Sequence, residues 1–108
     1  MDITVIAIIW IHFIADFVCQ TRWMADNKSK DAKALLYHVA IYTLCLCPLG
    51  IQWAVVNGGI HAIQDRFESI GTTWAYKNKR TWLLFTIVGI GQAAHLTVLL
   101  VLYNAFGG

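Results

Sequence analysis

Four apolar blocks divide this chain, with polar and basic stretches between them. Residues 3–19 run through Ile, Val, Trp and Phe with few interruptions, and residues 21–33, TRWMADNKSKDAK, are polar and basic. Apolar character returns over residues 34–47 and stops at Pro48-Leu49-Gly50, a turn signal. Residues 51–70 are weaker: Gly58-Gly59 interrupts them, and Asp65, Arg66 and Glu68 fall near their end. GTTWAYKNKRTW follows as a second basic loop, and residues 82–106 form the longest apolar block. That block exceeds the roughly 20 residues that about 30 Å of hydrocarbon requires. No block alternates like a barrel strand, so the pattern predicts four helices, the second and third of them short.

Polar residues recur inside these blocks at helical spacing. In HFIADFVCQ, His12, Asp16 and Gln20 lie four residues apart, which stacks them on one helical face. His61 and Asp65 repeat the His-x-x-x-Asp pair in the third block. His38 and Tyr42 lie one turn apart in the second, and Gln92 and His95 fall near the middle of the fourth.

Composition turns the four helices into membrane helices. The chain is 58% hydrophobic and 13% charged, against roughly 45–50% and about 25% in ordinary soluble domains. Its mean hydropathy is +0.60. A soluble core of 108 residues could not hide that much Ile, Leu, Val and Trp. The expected architecture is all-α: a compact four-helix transmembrane bundle, one domain over residues 1–108. The amino terminus lacks a basic segment and a small-residue cleavage site, so the first block is expected to remain as an anchor.

Charge placement sets the expected topology. Arg22, Lys28, Lys30 and Lys33 flank the first polar stretch, and Arg66, Lys77, Lys79 and Arg80 flank the second. Excess Lys and Arg mark cytoplasmic loops. Both basic loops are therefore expected in the cytoplasm and both termini outside, in a multi-pass protein of the inner (cytoplasmic) membrane. Trp23, Trp53, Trp74 and Trp82 fit interfacial belts, whereas Trp10 lies mid-segment. The basic clusters secondarily attract anionic headgroups. The expected partners are the lipid bilayer and further copies of the chain, because four short helices bury little; no nucleic-acid partner is expected. Cys19, Cys45 and Cys47 all fall in apolar runs and read as small hydrophobes rather than zinc ligands.

With that topology the polar residues converge in depth. At 1.5 Å of rise per residue, most of them fall within roughly 10 Å of one level in the cytoplasmic half, with His95 deepest at about 15–20 Å. A mid-helix aspartate costs about 2.5–3.5 kcal/mol to insert, so two of them with four histidines must pair or hold a cation. His12, Asp16, His38, His61, Asp65 and His95 form a candidate ligand set for one divalent ion (zinc, manganese or iron), or for two ions sharing carboxylates. Gln20, Tyr42, Asn57 and Gln92 are candidate supporting polar groups. Each has a plainer reading. His12 and Asp16 can be a packing hydrogen bond, and Asp65 can pair with Arg66. Asn57-Gly58-Gly59 can serve close helix approach. Gln92 can be an interhelical hydrogen bonder, Tyr42 packing, and Glu68 a solvated loop residue.

At these residues the chain resembles a known group. HFIADFVCQTRWMADNKSK, then LLYHV, GGIHAIQDRFES and GQAAHL, are similar to the bacterial and phage membrane proteins of the domain of unknown function 3307 family, over residues 12–96. The first block, H-x-x-x-D-F-x-x-Q followed by M-A-x-x-K, is the specific part. The fourth block of the family reads D-Q-x-x-H; here Gly91 stands at the acidic position, ahead of Gln92 and His95. The resemblance implies a membrane protein with a polar His/Asp motif and carries no activity.

Three functions fit. One is a membrane-embedded, metal-dependent hydrolase of a lipid-linked or phosphorylated substrate, approached from the cytoplasm. Another is a metal-ion or proton transporter, which the apolar outer halves of the helices disfavour within one monomer. The third is a structural or interaction protein with a polar packing network.

Overall fold

The apolar blocks fold as helices, and α1, α3, α4 and α5 each bury both apolar and polar side chains while leaving other large apolar residues exposed. A computed structural model describes residues 3–28 and 30–106. Helix α1 covers Ile3–Phe13 and passes into a π-helical turn, Ile14–Val18; α2 is Arg22–Asn27, α3 Ala32–Leu46, α4 Ile51–Lys77 and α5 Thr81–Ala105. A 3-10 turn, Cys47–Leu49, joins α3 to α4. The described residues contain no strand.

Local chemistry explains the helix ends. The Thr21 hydroxyl accepts from the Met24 amide and caps α2 (3.2 Å), and the Asp31 carboxylate accepts from the Lys33 amide at the start of α3 (2.9 Å). Pro48 at the start of the 3-10 turn and Gly50 after it reverse the chain. Helix α4 ends where Lys79 takes a left-handed conformation (φ 56°). There the Arg80 amide donates to the Ala75 carbonyl (2.8 Å) and the Lys79 amide to the Tyr76 carbonyl (3.1 Å), the paired bonds of a Schellman cap.

The third block is therefore not short. At 27 residues α4 is longer than α5 with 25. Residues 71–77, read from sequence as loop, hold no proline and continue the helix up to that cap. The polar stretch 21–33 likewise holds the short helix α2.

Helix α5 packs along α4, α4 along α3, and α1 touches both α3 and α5. One end of the bundle is apolar: Ile8, Tyr42, Leu46, Trp53, Ala54 and Leu99 form its core, with Cys45 and Cys47 packed against it. The Trp53 indole N–H donates to the Leu99 carbonyl (3.0 Å), so Trp53 is core and not interfacial, while Trp23, Trp74 and Trp82 are exposed. Helices α3 and α4 approach closely at Gly58, where a β-carbon would collide with the Thr43 hydroxyl. Below that core the buried side chains become polar.

Two helical stretches, Ala32–Leu49 and Thr81–Ala105, are long and apolar enough to cross a bilayer by length and composition; Ile3–Val18 is apolar but shorter.

Candidate metal centre

Four helical segments each deliver ionisable side chains to one buried point. Helix α1 brings His12 and its π turn Asp16; α3 brings His38, α4 brings His61 and Asp65, and α5 brings His95. All six are at most 4% exposed. The π turn is marked by the Cys19 amide donating to the Ile14 carbonyl, five residues back (2.8 Å). This wider turn breaks the four-residue register just after Asp16. Gln20 lies in a bend beyond the helix, with its side-chain oxygen buried and without a hydrogen bond.

At the centre stand Asp16 Oδ1, His38 Nε2, His61 Nε2 and Asp65 Oδ2. His38 Nε2 lies 3.0 Å from Asp16 Oδ1 and 3.1 Å from Asp65 Oδ2. His61 Nε2 lies 3.3 and 3.4 Å from the same two oxygens, and 3.1 Å from His38 Nε2. Asp16 Oδ1 has no hydrogen-bond partner despite these neighbours. Its approach to the imidazoles is close without being directed along an N–H bond. A tetrahedral ion with ligands at about 2.0 Å needs ligand–ligand edges of about 3.3 Å. Five edges of this four-atom set match that figure.

The surrounding groups hold the ligands in place. The His12 Nε2–H donates to Gln92 Oε1 (2.7 Å), and His12 Nδ1 accepts from the Tyr42 hydroxyl (2.9 Å). Both ring nitrogens of His12 are thereby engaged, and its distance to Asp16 Oδ2 is 3.9 Å. The Tyr42 ring stacks flat on His61, centroids 3.9 Å apart and planes 8° apart. His95 lies 4.3 Å from His61, ring centre to ring centre, and is within 3.8 Å of Asp16 and 3.9 Å of Asp65 through opposite ring nitrogens. Asn57 is buried but donates to the Trp53 carbonyl of its own helix (2.8 Å).

Two residues that spacing left outside the site belong to it. Lys28, read as a topology signal, reaches from the end of α2 to donate to Asp65 Oδ2 at 3.3 Å, its side chain only 20% exposed. No local pattern marks it, since the contact spans 37 positions. Glu68, read as a solvated loop residue, brings a carboxylate oxygen beside Asp65 and His95. A signal for Glu68 was present: His61, Asp65 and Glu68 follow the i, i+4, i+7 spacing of one helical face.

The chain belongs to the family described as protein of unknown function (DUF3307), whose profile matches residues 4–107. No curated protein and no solved structure matches it.

Proposed function

For this member of the DUF3307 family we propose a membrane-embedded metalloprotein that holds a divalent ion through Asp16, His38, His61 and Asp65. The observation that carries this reading is the set of ligand-to-ligand distances, 3.0–3.4 Å among four atoms from two helices and a π turn. Two aspartates beside two imidazoles suit zinc, manganese or iron. Without an ion, two carboxylates and two facing imidazole nitrogens would be crowded together away from water, with one carboxylate oxygen unsatisfied.

The membrane assignment rests on a polar buried centre beneath an apolar exposed surface. Among the described residues eight of the buried ones are polar, all four histidines included, while Ile3, Phe13, Leu36, Ile51, Phe67 and Trp82 lie exposed. Soluble monomers seldom expose apolar surface on that scale. The long axis, 43 Å, equals the roughly 40–45 Å of a bilayer with its headgroups. In this arrangement α1 with its π turn, α3, α4 and α5 cross as a four-helix bundle. The basic α2 segment and the α4–α5 turn then share the cytoplasmic side. Helix α4 falls short of a spanning hydropathy because it carries His61 and Asp65 on its buried face and Gln52, Gln64, Arg66 and Glu68 outside the buried core.

The reaction that suits the site is hydrolysis of a phosphorylated or lipid-linked substrate. A divalent ion with a coordination position open to water would lower the pKa of that water to about 7 and polarise a phosphoryl oxygen. Lys28, half-way between solvent and the ligands, is placed to receive an anionic oxygen of the substrate. A cavity of about 430 Å³ at the α4–α5 turn, lined in part by Lys77, Lys79 and Arg80, offers a headgroup a second set of cations.

Elemental analysis of protein purified in detergent without added metal tests the reading. Stoichiometric metal, lost in Asp16→Asn and in His61→Ala, is the expected result. A metal-free wild type that also takes up none on titration would return the cluster to a packing network. Flux through the protein in liposomes, without hydrolysis, would move the metal reading to transport.

A further inference from the structure

Asp65 shows its two oxygens to different neighbours. Oδ2 belongs to the four-atom set, while Oδ1 faces His95 Nε2 at 3.9 Å. Both ring nitrogens of His95 are buried without a hydrogen-bond partner, and the residue is 2% exposed. An imidazole in that condition has a lone pair aimed at nothing the protein supplies, which is costly in a dry interior. Glu68, three residues beyond Asp65 on the same face of α4, brings a carboxylate oxygen within 4.8 Å of ligand atoms of both Asp65 and His95.

Helix α5 makes room for that carboxylate. A β-carbon at Gly91 would fall 2.5–2.7 Å from Glu68 Cδ, Oε1 and Oε2. The bare glycine thus leaves the space in which the acid turns inward. The other nearby combination, His12 with Asp16 and His95, is less suited to an ion, because Tyr42 and Gln92 already occupy both nitrogens of His12.

We infer that Asp65, Glu68 and His95 form a second divalent-cation site, joined to the first by a bridging Asp65 carboxylate. The inference rests on the proposed first site. Two carboxylates and one imidazole suit manganese, iron or zinc. Four protein ligands close a tetrahedral ion to water, whereas three leave a position open. The second site therefore supplies the open position that hydrolysis needs. Paired ions about 3.5–4 Å apart would clamp the attacking and leaving oxygens of a displacement at phosphorus, an arrangement that suits phosphate esters.

Manganese(II) titration with elemental analysis and electron paramagnetic resonance tests the pair. Wild type is expected to hold two ions per chain with an exchange-coupled spectrum. Glu68→Gln and Gly91→Ala are each expected to hold one, with the six-line spectrum of an isolated ion. A single ion in the wild type overturns the second site and leaves the first standing; no ion overturns both. Two ions retained in both variants overturn the assignment of Glu68. So does loss of both ions from a Glu68→Gln protein that keeps wild-type helicity.

Discussion

His38 Nε2 and His61 Nε2 meet 3.1 Å apart, although 23 positions separate them in the chain. Only one proton can lie between two imidazole nitrogens, yet each nitrogen also has an aspartate oxygen from α1's π turn and another from α4 within 3.4 Å. An ion at the common centre would accept both lone pairs and balance both carboxylates. A proton shared between the rings engages the two lone pairs but balances only one carboxylate.

Metal should therefore stabilise the fold by mass action. At a free concentration of 100 Kd, a ligand that binds only the native state adds about 2.7 kcal/mol. Thermal unfolding in detergent is expected to shift upward with zinc or manganese and back with a chelator. The shift should vanish in His38→Ala; an equal shift in that variant would place the ion elsewhere.

Lys28 touches Asp65 from the solvent side. Lys28→Met keeps the methylene stem and removes the charge, so the metal content should stay at the wild-type value. Hydrolysis of a phosphate monoester is expected to fall at least tenfold, on the order of 1.4 kcal/mol or more, mainly through KM. Metal loss in this variant would instead make Lys28 a structural prop.

Tyr42 serves two residues, donating to His12 and stacking on His61. Tyr42→Phe keeps the stack and leaves His12 Nδ1 without its donor, at about 1–3 kcal/mol for an unsatisfied buried group. Metal affinity should change little. Tyr42→Leu removes the flat ring as well and should weaken metal binding; equal affinities in the two variants would show that the stack does not hold His61.

Gly58 sets the distance between α3 and α4, and with it the distance between His38 and His61. A side chain there meets the Thr43 hydroxyl, which itself donates to the Val39 carbonyl (2.8 Å). Gly58→Leu is expected to cost about 1–3 kcal/mol as overpacking and to lower metal affinity. Gly59→Ala, where a β-carbon meets nothing within 4 Å, is the matched control and should do neither.

Leu49 and Lys79 flank α4 at its two ends. In a background with Cys19, Cys45 and Cys47 replaced by serine, Lys79→Cys should react with an impermeant thiol reagent only from the cytoplasmic side and Leu49→Cys only from the other. Labelling of both from one side would remove the proposed crossings.

The i, i+4 pairs His12/Asp16 and His61/Asp65 lie on single faces because helical periodicity is local, and those faces are the ones the fold buries. Apolar blocks likewise revealed the helices, apart from the short α2 inside a polar stretch and residues 71–77, where only the absence of a breaker signalled continuation. The carriers of the family resemblance are the same local blocks, and the match over residues 4–107 agrees with them.

Local spacing alone determined that this chain is helical and that its histidines, Asp16 and Asp65 occupy inward faces. Tertiary structure decided which atoms meet. It turned Asp16 by a π turn, engaged His12 with Tyr42 and Gln92, folded Glu68 over Gly91 and brought Lys28 to Asp65. Those outcomes depend on how far helices rotate and how closely they approach, and both are fixed by packing between positions as many as 80 residues apart, beyond the reach of any short-range pattern.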